Sequence, residues 1–161
     1  MSSDPAFGLV PRPTLAATSG LELLRGMMEG RYPAPPIARL IGFELAEVEE
    51  GRVVFTGRPA LEHYNPIGSV HGGYAATLLD SCMGCAVHSG LEAGLGYTTL
   101  EFKVNFVRAM TVDTGLVRAE GKVIHGGRQA AVAESRLTDE TGRLLAHATT
   151  TCLVFPLKTA E

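Results

Sequence analysis

The segment HYNPIGSVHGGYAATLLDSCMGCAVHS, residues 63–89, decides the fold. From Gly73 to Ser89 it carries helix formers and small apolar residues on every side and contains no proline. That pattern predicts a helix of about 16 residues, roughly 24 Å long, buried all round rather than amphipathic. One residue interrupts it. Asp80 is the only Asp, Glu, Lys or Arg between Glu62 and Glu92. Burying an unpaired carboxylate is costly, and Asp is a poor mid-helix residue, so a charge at this position needs a reason. The structural alternative is that Asp80 bonds a neighbouring backbone or faces solvent at a subunit edge.

The approach to the helix supplies the chemistry. Gly72 and Gly73 allow a ligand close to the helix start, where unpaired N–H groups carry the positive end of the dipole. A carbonyl docked on either N–H would be polarised as in an oxyanion hole. Asp80 lies seven residues past Gly73, about 10 Å along the same helix. One chain therefore does not easily bring both to one carbonyl, whereas a twofold-related copy does.

Outward from this helix the period changes. Leu100, Phe102, Val104 and Phe106 alternate with Thr99, Glu101, Lys103 and Asn105, a strand pattern that places the apolar set on the core face. Three more alternating runs follow, around 117–123, 128–138 and 143–155. Two strands precede the helix, Phe43–Glu49 and Arg52–Arg58, joined at Glu50-Gly51. Further upstream, residues 1 to about 17 read as a loose arm, 19–29 as a short amphipathic helix, and 37–41 as one more helical turn. One helix cannot cover both faces of six strands, so the sheet must curl round it or its other face must find a partner. The expectation is an α+β fold with an antiparallel sheet of about six strands wrapped around one long central helix. An arm and helical extension over 1–36 precede a domain over 37–156.

Composition sets the outer limits. At 161 residues the chain is one domain with room for a substantial core. A net charge of -3 offers no electrostatic case for nucleic acid. His71, Asp80 and His88 interrupt the most apolar stretch, 67–91, which argues against a membrane span. Three cysteines make no disulfide framework, and no secretory signal pattern opens the chain, so a cytoplasmic protein is expected.

The set His63-x-Asn65-x-x-Gly68-x-Val70-His71-Gly72-Gly73 followed by Asp80 resembles the hotdog-fold acyl-CoA thioesterases of the phenylacetate-degradation type. The strand Thr98-Thr99-Leu100-Glu101-Phe102-Lys103-Val104-Asn105-Phe106 is similar to that family's third strand, and the element order matches from about Ile37 to Phe155. The resemblance implies hydrolysis of an acyl-CoA thioester to free acid and CoA. It makes Asp80 the nucleophile or the general base, and Gly72 N–H the oxyanion donor from a second subunit. It gives Asn65 to the carbonyl or the water, His71 to the sulfur or the loop, and Thr99 to a water-positioning hydroxyl. It also implies a homodimer with shared sites, in a dimer of dimers, and no cofactor beyond the CoA of the substrate.

For substrate binding, Gly73 and His63 belong to the same motif, while Arg108, Gly127 and Arg128 offer charges or a turn for the CoA phosphates. For the glycine turn and these arginines, a hairpin with solvated charges is the plainer reading. The five histidines show no metal-ligand spacing. Cys82-Met-Gly-Cys85 has a redox-motif spacing but sits mid-helix, where packing of small residues explains it. Two other functions remain open at this stage: a hotdog hydratase or dehydratase acting on acyl-CoA or acyl-carrier protein, and a non-catalytic acyl-CoA-binding module.

Overall fold

A computed structural model describes residues 6–157. Its elements are helices α1 (Arg12–Ala17), α2 (Gly20–Met28) and α3 (Pro36–Ile41), strands β1 (Phe43–Glu49) and β2 (Arg52–Gly57), then the long helix α4 (Gly72–Ser89). Four strands complete the fold: β3 (Leu95–Phe106), β4 (Val117–Gly126), β5 (Ala130–Asp139) and β6 (Leu144–Pro156). They form one antiparallel sheet in the order β1-β2-β4-β5-β6-β3, which curves round α4. Leu78, Leu79 and Met83 of α4 are fully buried against Val53, Val117 and Leu137 of the sheet. Helix and sheet approach closely at Gly121, where a Cβ would collide with the Cys82 carbonyl, so this crossing requires glycine.

Three sequence expectations are corrected. The arm over residues 1–17 is not loose where it is described. Residues 12–17 form α1, with Pro13 in its first turn where a missing N–H costs nothing, and Phe7 bridges to Ala34. Residues 1–5 of that arm lie outside the described residues.

Second, α4 is not buried all round. Ala76, Thr77, Asp80 and Ser81, at helical spacing, form a half-exposed stripe, which β3 touches through Thr99.

Third, the simple alternation of β3 fails. A bulge between Thr99 and Glu101 inserts Leu100 as an extra residue. Before it, Tyr97 and Thr99 pair with the buried Val154 and Cys152; after it, Phe102 and Val104 pair with the buried Thr150 and Ala148. The inward face thus changes from odd to even residues, and Leu100, expected in the core, is 59% exposed.

Sheet and extension share one hydrophobic cluster, which includes Leu24 and Ala38. Ser19 caps α2 through a reciprocal bond pattern with Glu22. The Gly20 N–H donates to the Leu91 carbonyl, tying α2 to the end of α4.

Candidate active site

The start of α4 is built by the loop before it. His71 is the N-cap in an extended conformation, and its Nδ1 accepts the Gly73 N–H at 2.8 Å. That bond leaves the ring proton on Nε2. It also occupies Gly73, so of the two glycine donors only the Gly72 N–H lacks a partner among the described residues. The Phe106 ring lies on Gly72, 3.0–3.3 Å from where a Cβ would stand, so any side chain there would press on the ring.

His63 and Asn65 hold the loop itself. His63 Nδ1 accepts the Ala60 N–H at 2.9 Å, its ring packs on Tyr74, and its carbonyl accepts the His71 N–H at 2.7 Å. Asn65 Oδ1 accepts the Ile67 N–H at 3.0 Å, while its Nδ2 donates to Ser69 Oγ at 3.1 Å. Arg108 is pinned by donation from Nη1 to the Leu144 carbonyl at 2.7 Å. With His71, Gly72, Gly73 and Phe106 it lines a shallow cavity of about 540 Å³.

Asp80 belongs to a different end of the chain. Thr99 Oγ1 donates to Asp80 Oδ1 at 3.0 Å, a contact that exists because the bulge leaves Thr99 on the inward face. The β4–β5 turn sits at this same end: Ala130 pairs with Leu153, and Leu153 with Thr98. Gly127 closes that turn through its N–H to the Ala130 carbonyl, and Arg128 stands at its tip.

The sequence-predicted residues thus fall into two groups. His63, Asn65, His71, Gly72, Gly73 and Arg108 gather at the Phe106 end of β3; Asp80, Thr99, Gly127 and Arg128 lie towards its start. Thr99 and Phe106 are about 20 Å apart along the strand. Asp80 and Gly72 are about 12 Å apart along α4. A single chain does not bring the two groups together.

Two residues escaped the sequence reading. Phe106 was placed in the core by its alternation, and only the structure puts its ring on the helix start. Tyr97 shares the parity of Thr99, a signal available once the bulge is known; its ring packs on Gly84. Around it, burial pushes the Cys85 thiol up to about 12, raises the Tyr97 phenol well above its ordinary value and lowers His88. Cys82 is likewise buried and raised, which fits packing rather than redox chemistry for the cysteine pair. No group of three or more metal-ligating side chains occurs among the described residues, and no helix there is long and apolar enough to cross a membrane.

A six-stranded antiparallel sheet wrapped round one long central helix is the architecture of the hotdog fold. Residues 67–146 match the model of the thioesterase superfamily. The 1,4-dihydroxy-2-naphthoyl-CoA hydrolase of Listeria monocytogenes is 30% identical over 105 residues, covering 65% of this chain and 84% of that protein. A phenylacetic acid degradation-related protein from Ralstonia eutropha superposes with a TM-score of 0.74 at 28% identity, over 81% of this chain and 98% of its own. A Streptococcus mutans protein solved with bound acetyl-CoA gives 0.66 at 27% identity, over 73% and 92%. The chain belongs to the thioesterase superfamily.

Proposed function

We propose that the protein hydrolyses an acyl-CoA thioester to the free acid and CoA, at sites shared between two copies of the chain. The observation that carries this reading is the Thr99-bonded Asp80 on the open stripe of α4, with the free Gly72 donor at the opposite end of the same β3. A thioester is already activated by its thiolate leaving group, so one carboxylate, one oxyanion donor and a dry pocket suffice in kind, without a cofactor.

The route to one site runs through the edge of the sheet. β3 is an edge strand of 12 residues, and its inward-facing Phe102 and Phe106 are 36% and 56% exposed. The other edge, β1, has α2 and α3 packed beside it. A long, uncovered apolar edge is a template for another strand. Antiparallel pairing of two β3 strands about a twofold axis near Phe102–Lys103 sets Thr99 opposite Phe106 of the partner subunit. Asp80 then faces Gly72 of the partner subunit, and the Arg128 turn comes to the same end of the joint sheet as Arg108 of the partner subunit. Two guanidinium groups there suit the phosphates of CoA. Assembly of such dimers into tetramers and residence in the cytoplasm, where three free cysteines stay reduced, complete the reading.

In the reaction, Gly72 N–H takes the developing oxyanion while Asp80 acts in one of two ways. As base, it accepts a proton from water as the hydroxide adds to the carbonyl. The adduct collapses to the free acid with breakage of the C–S bond and loss of CoA thiolate, which takes up a proton. As nucleophile, it adds directly, expels CoA thiolate and leaves a mixed anhydride for water to open. Thr99 holds the carboxylate in line, and Asn65 and His71 keep the Gly72 loop in shape. Thiol release from a panel of acyl-CoA esters tests the function: Asp80→Ala is expected to remain dimeric and lose hydrolysis, and full activity in that variant would overturn the assignment. One turnover in ¹⁸O-water separates the mechanisms, because only the anhydride route puts label into Asp80. Water addition to an enoyl-CoA would favour a hydratase instead, and tight binding without turnover a sensor.

A further inference from the structure

A second cavity, of about 880 Å³, lies between the N-terminal helices with the β1–β2 hairpin and the far end of α4. Leu24 and Met27 of α2 and Phe55 of β2 are among the residues that line it above; Cys85, His88 and Tyr97 form its floor. Its size falls in the range of small-molecule sites. Burial keeps the floor uncharged, since the thiol and phenol are pushed up and the imidazole down.

The cavity begins about one helical turn beyond Asp80, with the Tyr97 ring as the wall between them. Asp80, Gly84 and His88 stand four residues apart and share one face of α4. Gly84 contributes no side chain, and the Tyr97 ring takes that space, 5.4 Å from the His88 ring. Tyr97 and Thr99 point inward from the same side of the bulge. Along the helix axis Cys85 is about 7.5 Å from Asp80, and His88 about 12 Å.

We infer that this cavity is the chamber for the acyl tail, entered past the Tyr97 ring, and that the substrates carry acyl groups of medium to long length. The inference rests on the hydrolase reading above, which sets the thioester carbonyl at Asp80. An extended chain advances about 1.2 Å per bond, as in a backbone residue of three bonds and ~3.6 Å. Some six bonds are therefore spent before Cys85 is reached, so short acyl groups stop outside the chamber and only longer ones enter it. Its upper wall, α2 and β2, lies outside residues 67–146 that match the superfamily model. Chain-length preference is thus set by a part of this protein separate from the reacting groups.

The test uses the full chain and straight-chain acyl-CoA esters from acetyl to palmitoyl. The ratio of kcat/KM for decanoyl-CoA over acetyl-CoA is expected to exceed ten in the wild type. It should fall at least tenfold in Met27→Trp, which fills the chamber, and hold or rise in Met27→Ala. A ratio unchanged by Met27→Trp in folded protein would overturn the chamber. Occupancy is read separately by photolysis of Asp80→Asn protein with decanoyl-CoA bearing a terminal diazirine. Label is expected in α2, and label confined elsewhere refutes the chamber whether or not the Met27 variants fold. If the wild type hydrolyses none of the esters while α2 is labelled, the hydrolase reading fails and the chamber stands.

Discussion

Replacing Thr99 by valine isolates the contact on which the proposed chemistry depends. Valine keeps the β-branched shape, so β3 and its bulge have no steric reason to move. What is lost is the donation from Oγ1 to Asp80 Oδ1 at 3.0 Å. A hydrogen bond to a charged group is worth about 1.5–3 kcal/mol. Asp80 is half-buried, which favours the lower part of that range in an isolated chain and the upper part once a partner covers the stripe. If the bond aligns the carboxylate in the transition state, kcat/KM falls by about 10- to 150-fold. The assay is thiol release from decanoyl-CoA followed with a chromogenic disulfide, alongside thermal unfolding of both proteins. Loss of rate with a Tm within 2–3 °C of wild type is the expected pair. A Thr99→Val enzyme within twofold of wild type would refute the claim that Thr99 orients Asp80, and so the functional significance of the bulge.

Gly72→Ala is expected to lower kcat/KM by about tenfold, because its Cβ would press on the Phe106 ring at 3.0–3.3 Å and shift the helix start. Partial recovery in Gly72→Ala/Phe106→Leu would identify the ring as the obstacle, and an unperturbed single variant would remove it from the site. His71→Ala should cost about 1 kcal/mol of stability through the lost cap, read as a Tm drop of a few degrees, whereas His71→Asn should restore most of it. For Glu120, burial alone would raise the carboxyl, but Lys122, Arg118 and Arg52 outweigh it and hold it down at about 2. A depressed carboxyl stabilises above its unfolded value near 4.3 and loses that contribution as pH falls towards 2. Glu120→Gln should therefore flatten the decline of stability between about pH 4.5 and 2, measured by denaturant unfolding, by about 1 kcal/mol after solvent screening; an unchanged slope would show that the network adds nothing.

Most of the architecture was legible in the sequence, since hydrophobic period alone separates strands such as 117–123 from the helix over 73–89. The lone charge of Asp80 and the His71-Gly72-Gly73 helix start were equally visible, because each departs from its surroundings. Other features depend on contacts made far along the chain. The half-open stripe of α4 arises because the curved sheet leaves that side of the helix partly uncovered, an outcome of sheet curvature rather than of helix composition. The capture of the Gly73 N–H by His71 depends on one rotamer. The bulge escaped because Leu100 continues the apolar alternation perfectly: only pairing with β6 reveals one residue too many.

That single extra residue acts as a change of phase within a strand. Thr99 and Phe102 both point inward although their numbers differ in parity, so polar and apolar positions trade faces partway along β3. Loss of Leu100 itself would join Thr99 to Glu101 in the register they already keep with Cys152 and Thr151, so both inward sets would survive; loss of a residue away from the bulge would turn part of the strand over. Alignments that place a gap in this strand, and chimaeras joined within it, must be counted from the bulge, because a one-residue gap is harmless at Leu100 but away from it exchanges a reacting position for a solvent-facing one.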